Sequence, residues 1–181
     1  MDYQIRLAVA ADAELLPAIE MSSGAIFRTV PGLEWIADDA VSSVSSLLEL
    51  IADGTTWVAE SEADAQVAYL GAERVHDAMH VWEVAVSADH QRKGLGRRLM
   101  AAAEEMAREG GLGTMTLTTF RGVEWNELFY QSLGYETMSE MALGPWLAGV
   151  LADEVERGLP GERRCAMRKV ILPLATSVIE R

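Results

Sequence analysis

Between Val81 and Met106 a strand-like run opens onto a glycine-rich, cationic turn and then onto a helix-like run. Val81-Trp82-Glu83-Val84-Ala85-Val86 is apolar and β-branched, which predicts a buried strand. His90-Gln91-Arg92-Lys93-Gly94-Leu95-Gly96-Arg97-Arg98-Leu99 follows. Leu95, Leu99, Ala103 and Met106 then recur at helical spacing until Gly110-Gly111 stops the run. The first N–H groups of a helix lack partners and carry the positive end of its dipole, so such a turn is suited to hold phosphate. On its own it serves equally well as a connector whose glycines relieve backbone strain.

Two common phosphate motifs do not fit. A Walker loop needs Gly-Lys-Ser/Thr at a spacing this segment lacks. A dinucleotide fingerprint needs a third glycine where Met100-Ala101 stands. What remains, Gln-Arg-x-Gly-x-Gly-Arg, resembles the coenzyme A pyrophosphate loop of the GCN5-related N-acetyltransferase (GNAT) superfamily. Asn126-Glu127-Leu128-Phe129-Tyr130-Gln131-Ser132-Leu133-Gly134-Tyr135 resembles the second signature of that family, in the right order and beyond a helix and a strand. The segment Leu117 to Asn126 also resembles a bacterial subgroup of unknown acceptor.

The order of elements supports an α+β or mixed α/β domain. Tyr3–Val9 alternates as a strand, and Asp12 is placed to cap a helix carrying Leu15, Leu16 and Ile19, with Pro17 in its early turns. Gly24–Gly32 is expected as a loop. Asp39 is placed to cap a second helix with Val41, Val44, Leu48 and Ile51 on one face, ended by Gly54. Strands are expected at Trp57–Ser61 and Gln66–Ala72 around a turn near Ala63-Asp64, then at Met79–Val86, Thr114–Thr119, Tyr135–Met141 and Arg164–Leu172. Asn126–Leu133 is expected as a short helix, and Gly144–Gly158 as an acidic loop or helix. No linker divides the chain, so residues 1–181 are expected to form one domain. The resemblance implies a mixed, mostly antiparallel sheet flanked by helices, whose two central strands splay apart to admit coenzyme A.

It also implies roles, residue by residue. Val84, Ala85 and Val86 would offer backbone groups to the pantetheine arm, which lies along the strand like an extra strand. Gln91, Arg92, Lys93, Gly94, Leu95, Gly96 and Arg97 would wrap the pyrophosphate through main-chain N–H groups. Asn126 would hydrogen-bond the cofactor arm, and as a residue type it also suits an N-cap. Tyr130 would protonate the departing thiolate, since a phenol of pKa roughly 10 stands close to a thiol of about 8.5. Glu83 is a carboxylate in an apolar strand, where burying it unpaired would cost on the order of several kcal/mol. It lies on the face opposite Val84 and Val86, and either that face is wet or the carboxylate serves the acceptor amine.

The expected activity is transfer of acetyl from acetyl-CoA to the primary amine of a small molecule, by direct attack in a ternary complex. Proximity and strand N–H groups around the oxyanion would lower the barrier. The alternative is a non-catalytic module that senses acyl-CoA. Some protein-acetylating relatives carry a glutamate where this chain has Leu117-Thr118-Thr119, which weakens the case for a ribosomal-protein or peptide acceptor. Apolar residues between Met21 and Trp35 are expected to line the acceptor pocket.

The remaining features bound the partners. A formal net charge of −13 disfavours nucleic acid; it either confers solubility alone or also favours the approach of cationic acceptors. No apolar run approaches the ~20 residues of a membrane span, and no signal pattern opens the chain, so a cytoplasmic protein is expected. His76, His80 and His90 are not at metal-ligand spacing, no metal is expected, and His80 is expected at the surface. Cys165, the one cysteine, is expected as a small buried apolar residue. The run Val170–Ala175 is apolar enough to pack between two copies of the chain or to complete one sheet, which leaves a homodimer open.

Overall fold

The computed structural model describes residues 2–62 and 66–171. The expected turn at Ala63-Asp64 and the run from Leu172 to Ala175 lie outside the described residues. Among the described residues there are seven strands: β1 Tyr3–Leu7, β2 Thr56–Ser61, β3 Gln66–Val75, β4 Ala78–Val86, β5 Thr114–Phe120, β6 Glu136–Thr137 and β7 Arg164–Val170. They form a sheet in the order β1-β2-β3-β4-β5-β7-β6. The β1/β2, β2/β3, β5/β7 and β6/β7 pairs are antiparallel, whereas β4 and β5 run parallel, so the sheet is mixed and the class is α/β. Among the described residues five α-helices accompany it: α1 Leu16–Gly24, α2 Val44–Ala52, α3 Leu95–Glu109, α4 Phe129–Gln131 and α5 Pro145–Glu156.

The chain divides into two compact units. The described residues through Glu73, with Val81–Ala103, form the first. Arg74–His80 and the described residues from Glu104 onward form the second. The chain passes from one to the other within β3, β4 and α3.

In the first unit, α1 and α2 bury one face against the sheet: Ala13, Leu16, Ile19 and Leu47 pack with Val58, Tyr69 and Ala85. Pro17 falls in the first turn of α1, where its missing N–H costs no helical bond. Several caps differ from expectation. Asp12 lies buried before α1, accepting from Val9 N–H at 2.8 Å and from Arg6 at 2.7 and 3.0 Å. An ion pair therefore outcompetes the cap, and the Arg6 guanidinium holds the Asp12 carboxyl below its usual range. Ser43, not Asp39, caps α2, accepting from Ser46 N–H at 3.1 Å, so Val41 precedes the helix. The expected loop at Gly24–Gly32 is largely helical, since α1 runs to Gly24 and a 3₁₀ turn continues from Ala25 to Thr29.

In the second unit, α5 occupies the segment expected as a loop or helix, and Leu147 and Val150 pack against Ala166. Glu154 on α5 meets Arg164 of β7 in a buried bidentate pair, with both contacts at 2.7 Å, and accepts from Thr118 Oγ1 at 2.5 Å. The expected strand from Tyr135 to Met141 is reduced to two residues. The tight turn at Gly134, with φ of +90°, delivers only Glu136 and Thr137 to the edge of β7.

Candidate active site

The first unit carries the phosphate turn. Its start is fixed by His90, which is buried and accepts or donates at Nδ1 to Tyr3 Oη across 3.0 Å, with the two rings edge to face. Arg98 then donates to Tyr3 O at 2.7 Å from the first turns of α3. Leu95, Leu99, Met100, Ala103 and Ala107 are buried and seat α3 in register. Met106 is half-buried, because the inward row advances to Ala107.

Between these anchors the backbone takes positive φ at Arg92 (58°) and Gly94 (81°), and not at Lys93. Such alternation turns successive N–H groups toward one concavity that accepts an anion. For Arg92 the conformation costs on the order of 1–3 kcal/mol, a strain that functional turns retain. No heavy atom lies within 4 Å of a Cβ built on Gly94, so backbone conformation rather than crowding demands glycine there. Arg92, Lys93, Arg97 and Arg98 are all exposed around this turn. Lys93 folds back to donate to Asp89 O at 2.7 Å.

On β4, Val84 and Val86 are half-buried and Ala85 is fully buried in the cluster beneath α1 and α2. Glu83 shares the face of Ala85 and is half-buried. Glu83 acts electrostatically on the Tyr69 phenol, which is buried and donates to Glu20 of α1. Both Glu20 carboxylate oxygens also accept from Ser42 N–H, at 3.1 and 3.2 Å. Burial, Glu83 and Glu20 together push the phenol far above its usual range, so it remains protonated. The sequence reading missed Glu20 and Tyr69. The available signal was Glu20 as the one charged residue in the helix carrying Leu16 and Ile19.

The expected acceptor segment is divided in character. Met21 and Trp35 are exposed, whereas Leu33 is fully buried and belongs to the core.

The second unit carries Asn126 and Tyr130. Glu124–Leu128 forms a π turn that runs directly into α4. Such turns are uncommon and occur often at functional sites. Val123, not Asn126, precedes the first turn, so Asn126 is not an N-cap and its half-buried side chain is unconstrained by that role. Tyr130 is half-buried, edge to face with Phe129 at 5.1 Å and with Tyr135 at 6.0 Å between ring centroids. Its carbonyl accepts from Leu133 and Tyr135 N–H, at 2.9 and 3.1 Å, closing the turn around Gly134. Tyr135 is buried, and burial raises its phenol far above the usual range. Lys169 lies over its ring and pairs with Glu104 at 2.6 Å.

His80 corrects an expectation. It is fully buried, with Nδ1 3.0 Å from Thr116 Oγ1 and its ring 4.9 Å from that of Trp146. Burial lowers its pKa to about 4, so it is neutral near pH 7. Cys165 is buried and its thiol is pushed up to about 11, mainly by burial, which makes it a poor nucleophile. Among the described residues no group of three His, Cys, Asp or Glu side chains could hold a metal ion. Nor is any helix among them long and apolar enough to cross a membrane.

Residues 52–137 match the family model described as the acetyltransferase (GNAT) domain. The chain is similar to the PaiA N-acetyltransferase of Thermoplasma acidophilum in complex with coenzyme A, at 16% identity over 94% of this chain and 99% of that one, with a TM-score of 0.69. It is also similar to N-acetylglutamate synthase of Neisseria gonorrhoeae, complexed with coenzyme A and N-acetyl-glutamate, at 18% identity and a TM-score of 0.70. That likeness covers 95% of this chain and 36% of the synthase. A third is the ribosomal-protein-alanine N-acetyltransferase of Escherichia coli, at 16% identity, 99% and 100% coverage and a TM-score of 0.66. At these identities the solved structures establish the fold alone, and the likeness to the acetyltransferase domain lies in the matched span, which contains both the phosphate turn and the segment Asn126–Tyr135. Residues 52–137 thus carry the likeness to an acetyltransferase (GNAT) domain, on a fold shared with solved N-acetyltransferases.

Proposed function

We propose that the chain transfers acetyl from acetyl-CoA to the primary amine of a small molecule. The observation that carries the cofactor half is the turn at Arg92–Gly94, whose alternating backbone leads directly into a 15-residue helix. Main-chain N–H groups from Gln91 to Arg97 hold the pyrophosphate there, and the helix dipole adds to the attraction. Val84, Ala85 and Val86 present the strand edge to the pantetheine arm.

The acceptor half rests on Glu83. An amine attacks only as the free base, so its ammonium must lose a proton on the enzyme. Glu83, half-buried beside an apolar cluster, binds that ammonium and draws the proton, directly or through water. The nitrogen lone pair then forms a bond to the thioester carbon, whose oxygen becomes an oxyanion. Collapse of this intermediate breaks the C–S bond, Tyr130 donates its proton to the departing sulfur, and the excess proton on the new amide nitrogen passes through water to the tyrosinate. Asn126 hydrogen-bonds the cofactor arm.

A small acceptor is favoured over a protein one because the middle of β5 carries Thr118 and Thr119 in place of a carboxylate. The carboxylate nearest Thr118, that of Glu154, is committed to Arg164. Thiol release from acetyl-CoA across a panel of primary amines tests the reading. Release with at least one small amine and none with peptides is expected. Binding of acetyl-CoA by calorimetry without release to any amine would instead identify a sensor.

A further inference from the structure

Successive N–H groups along a strand point to opposite edges. At the end of β4, Ser87 N–H donates to Val67 O of β3 at 2.9 Å. Its neighbours Val86 and Ala88 face the other edge, and both are held by α1. Val86 N–H donates to Ser23 Oγ at 3.3 Å, and Ala88 N–H donates to Ser22 Oγ at 3.0 Å. The Gln91 side-chain amide donates to Val86 O at 3.1 Å and to Ser23 O at 3.4 Å. Side chains thus hold both the donor and the acceptor of Val86. A free strand edge cannot be left unpaired away from water, and short hydroxyls satisfy it without adding a strand.

We propose that Ser22 and Ser23 stand in for the pantetheine arm: they hold the β4 edge until coenzyme A displaces them, and binding thereby releases the end of α1. The inference rests on the reading that Val84–Val86 carry that arm, and it adds a competitor built into the fold. The bond to Ser23 is at the long end of the N–H···O range, so it is readily exchanged for an amide of the cofactor. The end of α1 runs straight into the 3₁₀ turn Ala25–Thr29, and Glu20 lies on the same helix.

The sign of one measurement decides the matter. A residue that assists cofactor binding weakens it when removed, whereas a competitor strengthens it. Full-length wild-type, Ser23→Ala and Ser23→Thr proteins are titrated calorimetrically with coenzyme A and with 3′-phospho-ADP, which keeps the pyrophosphate and lacks the pantetheine arm. Ser23→Ala is expected to bind coenzyme A roughly three- to ten-fold more tightly, the equivalent of one net hydrogen bond. Its affinity for 3′-phospho-ADP stays unchanged, and Ser23→Thr, which keeps the hydroxyl, stays at wild type with both ligands. Unchanged or weaker coenzyme A binding by Ser23→Ala overturns the inference, as does equal tightening toward both ligands. Failure of the wild-type protein to bind coenzyme A at all overturns the underlying reading instead.

Discussion

Tyr69 of β3 donates its phenolic hydrogen bond to Glu20 of α1, forty-nine positions away in sequence. Glu20 has only neutral donors among its described partners, the Tyr69 hydroxyl and Ser42 N–H. Glu83 acts on the same phenol, so two carboxylates face one buried tyrosine that stays protonated. The first unit therefore holds negative charge beside the strand proposed to receive coenzyme A.

Glu83→Gln keeps size and hydrogen bonding and removes the charge. Turnover with the preferred amine should fall by about 10²-fold, within the usual range for loss of a general base. Acetyl-CoA affinity should remain within about two-fold of wild type, because the carboxylate lies on the face opposite Val84 and Val86. Steady-state thiol release and calorimetry separate the two effects. An unchanged rate with every accepted amine would assign Glu83 to the surface charge alone.

Gly94→Val tests the phosphate turn. A β-branched residue at φ of +81° is strained, costing on the order of 1–2 kcal/mol, and it redirects the N–H groups that form the concavity. Coenzyme A affinity should fall by about ten-fold or more. The melting temperature should fall by only the few degrees that this strain implies, since the position is exposed and open. Wild-type affinity in a correctly folded variant sinks the loop assignment.

Tyr130→Phe removes one hydroxyl while the edge-to-face packing with Phe129 and Tyr135 persists. Fold and cofactor affinity should be nearly intact, and turnover should drop at least about ten-fold. The alkaline limb of the pH–rate profile should shift or vanish. Lost stability with normal activity per folded molecule would make the side chain a packing residue only.

His80 makes stability depend on acidity. Burial lowers its folded pKa to about 4 from 6.5, so the unfolded chain binds more protons between those values. Its contribution is fully present above pH 6.5, declines as pH falls, and is gone below about 4. A shift of this size corresponds to about 3 kcal/mol. Urea unfolding of wild type against His80→Phe should show a shallower acid-side loss in the variant. Parallel curves between pH 6.5 and 4 would mean that water reaches the imidazole.

How much was legible in the sequence follows from how local each cause is. Strand alternation and helical spacing depend on neighbours within a few residues, so β4, the turn from Gln91 to Arg97, α3 and the face of Glu83 were readable one after another. The need for glycine at position 94 is equally local, because it is a property of one backbone dihedral. Caps were less legible. Asp12 and Asp39 are suitable cap residues, yet Arg6 claimed the first and Ser43 displaced the second.

Only the tertiary structure decided what covers each face. His80 looks like a surface imidazole until α5 brings Trp146 against it. Glu154 and Arg164 look like solvated charges until α5 and β7 enclose them together. Ser22 and Ser23 carry no signal at all until α1 lies along the end of β4 and their hydroxyls meet its free N–H groups. The physical reason is the same in each case. A sequence fixes which groups a segment presents, through periods of two and 3.6 residues, whereas burial and pairing depend on a partner tens of positions away that only packing brings into reach.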